Sequence, residues 1–88
     1  MIVFTLYSRS YCHLCDDMRV ALEQLVATVP HRIDVIDIDQ HENLVAQFDE
    51  LVPVLFAASL AQSSQGQVGQ QLCHYFLDHD KVKAFCDE

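Results

Sequence analysis

Two thiols three residues apart, Cys12 and Cys15 with His13 and Leu14 between them, are the strongest candidates for chemistry in this chain. A cysteine at a helix N-terminus faces unpaired backbone N–H groups and the positive end of the helix dipole, and both favour thiolate over thiol. Cys12 is therefore the expected nucleophile. Cys15, one turn further along, lies close to Cys12 but better shielded, which suits a resolving thiol that breaks a mixed disulfide. Arg9, three residues before Cys12, and a protonated His13 would support the thiolate, whereas Asp16 and Asp17 oppose it. Each such effect is on the order of 0.3–1 kcal/mol, so the expected bias toward thiolate is modest. Two other readings stay open at this point. The pair fits two ordinary helix-start cysteines, and Cys12, His13 and Cys15 are also thiolate and imidazole ligands. A closed tetrahedral zinc site needs four ligands, though, and no second Cys-x-x-Cys or spaced Cys/His pair follows.

The neighbouring segments predict the scaffold. Ile2 to Tyr7 is β-branched and aromatic and ends at Ser8 and Arg9, which reads as a buried strand running into a loop. From Leu14 the apolar residues Met18, Ala21, Leu22, Leu25, Val26 and Val29 recur by threes and fours, opposite Asp16, Asp17, Arg19, Glu23 and Gln24. That spacing predicts an amphipathic helix closed before Pro30. Arg32 to Asp39 reads as a second strand, and strand, helix, strand implies a parallel crossover. Asp39 with Glu42 resembles a capping box, opening a second helix through Leu44, Val45, Phe48 and Leu51 that ends before Val52 and Pro53. Val54 to Ala57 predicts a third strand, Leu72 to Phe76 a fourth antiparallel to it, and Asp78 a cap for a last helix burying Val82, Phe85 and Cys86. Between the last two strands, residues 58–71 are rich in Gln, Ser and Gly and predict a mobile excursion with some strand extension.

Composition bounds the function. With 88 residues the chain has room for one small core, so residues 1–88 are read as a single domain. Thirteen acids against five bases give a net charge of −8, which argues against binding nucleic acid or an anionic lipid surface. No signal peptide is legible and no apolar run nears the roughly 20 residues that span a bilayer, so a cytoplasmic protein without membrane contact is expected. In that compartment Cys73 and Cys86, on apolar faces, are expected to be reduced packing residues. From Leu51 through Leu77 there is no Asp, Glu, Lys or Arg. His74 is read as a satisfied strand histidine, and Asp34, Asp37 and Asp39 as solvated acids.

The run Tyr7-Ser8-Arg9-Ser10-Tyr11-Cys12-His13-Leu14-Cys15, the βαβ unit around it, and Leu51-Val52-Pro53-Val54-Leu55-Phe56 before the last hairpin resemble the thioredoxin superfamily. Within it the chain is most similar to the small bacterial glutaredoxin-like proteins, over essentially its whole length. The resemblance implies an α/β fold: a four-stranded mixed sheet of order 2-1-3-4 flanked by three helices. It also implies a cis Val52-Pro53 bond whose backbone edge, beside Cys12, accepts an extended peptide or glutathione as a short strand. Arg9 is implied at a glutathione carboxylate, with Tyr11 as a wall of the groove and His13 within the same substrate site. Two features depart from the dithiol glutaredoxins. Cys-His-Leu-Cys stands where Cys-Pro-Tyr-Cys is common, and Cys73-His74-Tyr75-Phe76-Leu77-Asp78 stands where a Gly-Gly-Asp turn grips the γ-glutamyl end of glutathione. The second departure shifts the expectation toward a protein thiol substrate or a thioredoxin-like reductant.

The expected function is thus thiol-disulfide exchange through Cys12 and Cys15, serving cell redox homeostasis. No tightly bound cofactor is expected, and glutathione is a candidate co-substrate. The expected partners are a disulfide-containing protein or a glutathione mixed disulfide, together with a thiol reductant, and the chain is expected to act as a monomer. Two rivals are a non-catalytic interaction module using the uncharged surface near Pro53, and a glutathione-assisted iron–sulfur cluster carrier using Cys12.

Overall fold

The computed structural model describes residues 1–10 and 12–87. Strand β1 (Ile2–Ser8) sits inside the sheet, paired parallel to β2 (His31–Asp37) on one side and antiparallel to β3 (Val54–Ser59) on the other. Strand β4 (Gln70–His74) adds antiparallel to β3, giving the order β2-β1-β3-β4. The β-branched and aromatic run of β1 is buried from Val3 through Ser8, as a strand covered on both faces must be.

Helix α1 (His13–Leu25) supplies the crossover between β1 and β2 and buries Cys15, Met18 and Leu22. Met18, Leu22 and Val26 pack with Phe4, Leu6, Leu55, Leu72 and Val82 in one core cluster. Leu22 is fully buried there, so truncating it to Ala would cost about 2–5 kcal/mol. A second cluster stacks Tyr7 on Phe48 at 4.7 Å between ring centroids, with Phe56 edge-on to Tyr7 at 5.7 Å. Burial raises the Tyr7 hydroxyl above its usual pKa.

Three local expectations are corrected. The sheet is flanked by four α-helices among the described residues, because residues expected to form a mobile excursion include α3 (Leu60–Ser64). Ser59 caps it: its hydroxyl accepts from Gln62 N while the Gln62 side chain accepts from Ser59 N, so two orphan amides are satisfied reciprocally. The Asp39–Glu42 box does not form. Asp39 lies in a 3-10 turn (Ile38–Gln40) whose cap is Asp37, and α2 (Glu42–Phe48) starts at His41 without a side-chain cap and ends before Asp49. Finally, β4 begins at Gln70 and stops at His74, because Tyr75 adopts a left-handed φ of 63° that ends the ladder. Gly69 enters the same strand at φ 86°, where a Cβ would fall 2.0 Å from the Ala57 carbonyl oxygen. Only glycine fits.

The last helix, α4 (His79–Cys86), is capped as its sequence predicts, with the Asp78 carboxylate accepting from Lys81 N at 3.1 Å. Among the described residues no helix is long and apolar enough to cross a membrane.

Candidate redox site

Cys12 is the N-cap of α1. Its backbone is extended (φ −104°, ψ 105°), and its sulfur accepts a hydrogen bond from Cys15 N at 3.2 Å. The thiol thus occupies the position where a helix leaves its first amides unpaired and its dipole positive. Cys12 and Cys15 are paired as a disulfide, their Cα atoms 5.3 Å apart, within the span such a bond requires. Their exposure differs in the sense the chemistry needs. Cys15 is 4% exposed, whereas Cys12 is half-buried, so an incoming disulfide meets Cys12 first. His13 and Leu14, between them, face solvent. Tyr11 lies outside the described residues.

The cis Val52-Pro53 bond is present. Because Tyr7 pairs with Val54 across β1 and β3, Pro53 comes to the end of the sheet from which the Cys12 loop leaves β1. Pro53 is buried and its carbonyl accepts from Tyr75 N at 2.9 Å, while Val52 packs on the Tyr7 and Phe48 cluster. The Tyr75 hydroxyl donates to the Glu50 carbonyl, so the residue that ends β4 also clasps the segment leading into Pro53.

Arg9 turns toward the charged side of the loop. Its guanidinium holds Asp39 at 2.7 Å and also bonds Asp49. The Asp39 carboxylate, by hydrogen bond and charge, and then Asp49 hold the guanidinium protonated beyond its ordinary range. Ser10 donates to Asp37 at 3.0 Å, and Asp37 in turn accepts from Asp39 N at 2.9 Å. The loop before Cys12 is therefore tied to the 3-10 turn and to the end of α2. A glutathione carboxylate arriving at Arg9 would have to compete with two carboxylates already there.

Leu14, between the cysteines, borders an apolar groove. The groove, of about 300 Å³, runs between α1 and the segment after β4, walled by Leu14, Met18, Ala21, Tyr75, Phe76 and Leu77. Asp17 and His79 supply its polar rim. Phe76 is 72% exposed and Leu14 is 40% exposed. Leu14, Met18 and Ala21 were expected as the apolar face of a helix and Tyr75 and Phe76 as strand residues, not as walls of one groove. The available signal was the charge-free run through Leu77, with aromatic residues beside the place where a glycine turn was missing. Asp39 and Asp49, 30 and 40 residues from Arg9, carried no such signal.

Cys73 and Cys86 are free and half-buried. Burial raises both thiols above the ordinary range, for Cys86 with a further push from Asp87. Among the described residues no group of three or more His, Cys, Asp or Glu side chains converges as a metal site.

Comparison with known proteins agrees with this geometry. Residues 3–86 match the family model described as Glutaredoxin-like domain (DUF836). A Nitrosomonas europaea protein solved by NMR is 36% identical, with 96% of this chain and 89% of that one covered at a TM-score of 0.77. An X. campestris protein solved by X-ray is 26% identical over 96% of this chain and 95% of that one, TM-score 0.64. A thioredoxin of Halobacterium salinarum shares the fold at 18% identity and TM-score 0.67, covering 98% of this chain and 72% of that one. No curated protein matches.

Proposed function

The chain belongs to the glutaredoxin-like domain family, and from that membership together with the disulfide-linked pair at the start of α1 we propose that it is a thiol-disulfide oxidoreductase. The carrying observation is the asymmetry of the pair: Cys12 half-buried at the helix cap, Cys15 buried in the first turn. In the reduced protein the Cys12 thiolate attacks one sulfur of a substrate disulfide. The substrate S–S bond breaks, a Cys12–substrate disulfide forms, and the first substrate thiolate leaves to take up a proton. The Cys15 thiol then loses its proton and attacks Cys12 Sγ, releasing the second substrate thiol and leaving the Cys12–Cys15 disulfide. Two electrons pass from protein to substrate, and an external thiol reductant restores the dithiol.

The backbone edge of Val52 receives the extended substrate beside Pro53, with His13 at the mouth of the site. The substrate is a disulfide-bearing protein or a glutathione mixed disulfide, turned over by a monomer in the reducing cytoplasm without a tightly bound cofactor. An equilibrium titration of the pair in glutathione buffers, read by mass-tagged alkylation, tests the proposal. A single two-electron transition between about −300 and −150 mV that disappears in Cys12→Ser is the expected result. If no disulfide forms in that range, the oxidoreductase reading fails and the interaction-module reading takes its place.

A further inference from the structure

Resting on the oxidoreductase reading, we infer that the site selects a polypeptide disulfide flanked by apolar and cationic residues over anionic thiol compounds such as glutathione. Three independent observations lead there.

The groove is apolar along Leu14, Met18, Phe76 and Leu77, and Leu14, which lies in the chain between Cys12 and buried Cys15, brings its wall up to the redox pair. A substrate held with its disulfide at Cys12 can lay an adjacent side chain into it, and removing Leu14 and Phe76 from water then favours apolar residues beside the half-cystine. Glutathione has only a glycine and a γ-glutamyl group to offer, neither of which fills an apolar wall.

The guanidinium three residues before Cys12 is already committed: Arg9 is held by Asp39 and Asp49. An incoming carboxylate at Arg9 would displace a partner already in place and bring a third negative charge to the cluster. Asp78 is likewise occupied as the cap of α4.

The surrounding charge completes the argument. Asp16 stands in the first turn of α1, Asp17 rims the groove, and the chain carries −8 overall. Such a field slows the approach of an anion and steers a cation.

The test uses the reduced full-length chain and four oxidants. Two are peptide disulfides sharing one apolar sequence, flanked by Lys in one and Glu in the other; the others are oxidised glutathione and the small neutral bis(2-hydroxyethyl) disulfide. At low salt the Lys peptide is expected to react about tenfold faster than the Glu peptide, the difference shrinking near 1 M salt, where the screening length is about 3 Å. In the double variant Leu14→Ser with Phe76→Ser, the ratio of the Lys-peptide rate to the small-disulfide rate should fall about tenfold. The inference is overturned if the Glu peptide or glutathione reacts as fast as the Lys peptide, or if that ratio does not move. Should the chain fail to reduce even the small neutral disulfide, the oxidoreductase reading falls instead. NMR titration of Cys12→Ser with the Lys peptide then decides the groove separately: shifts centred on Leu14 and Phe76 support it, and their absence overturns it.

Discussion

The chain carries two pairs of cysteines, and their surroundings differ more than their chemistry. Cys12 and Cys15 open a helix, one half-buried at its cap and one buried, and are joined to each other. Cys73 and Cys86 sit half-buried on β4 and α4 against the main core, free, their thiols pushed up by burial. A thiol gains reactivity from unpaired amides and a helix dipole, and loses it to an apolar wall. Location, more than residue type, separates the two pairs.

Substitutions at the first pair should break this contrast most strongly. Cys12→Ser is expected to abolish disulfide reduction, measured as substrate thiol release. Cys15→Ser should instead retain the first attack and accumulate a mixed disulfide, visible as an intact-mass adduct that is lost on reduction. A Cys12 variant retaining exchange would show that another thiol does the work.

The second pair is probed by pH. Both Cys73 and Cys86 hold their protons more tightly folded than unfolded. Below the unfolded thiol pKa of about 8.5 both states are protonated and the groups contribute no pH dependence. Above it the unfolded chain ionises first, so stability should fall as pH climbs past that value toward the raised folded values. Chemical denaturation at neutral and alkaline pH should show the decline, reduced in Cys73→Ala with Cys86→Ala.

A smaller effect is expected at Asp78. Asp78→Ala removes the cap of α4, costs about 1 kcal/mol, and should speed alkylation of Cys86 at the far end of that helix. Smallest of all, Cys73→Ala is expected to leave the redox midpoint of the first pair unchanged within the error of the titration.

Much of the scaffold was legible because its signals are local. The apolar spacing from Leu14 to Val26 marks α1, Asp78 announces α4, and the alternation of strand and helix implies the parallel β1–β2 pair. The capping box at Ser59 and Gln62 was equally local, yet the Gln-, Ser- and Gly-rich composition around it pointed to an irregular loop. At Asp39 the reverse happened: a box-like spacing was present, but the turn already had a cap in Asp37, and the Asp39 carboxylate was taken by Arg9. Of the site, the cysteine pair was readable from two residues and their distance along the chain. The carboxylates on Arg9 and the groove wall at Phe76 arise only when distant segments meet at one end of the sheet, and no local pattern encodes such a meeting.

The sheet's order bears on how the molecule behaves among its own copies. Strands β2 and β4 form the two rims, where unpaired amides and carbonyls could template the addition of another chain. Arg32, Asp34 and Asp37 stud β2 with charge, and β4 is only five residues long, ended by the left-handed Tyr75. Each rim carries its own deterrent to edge-to-edge growth, so a crowded solution of this protein is expected to resist β-linked aggregation.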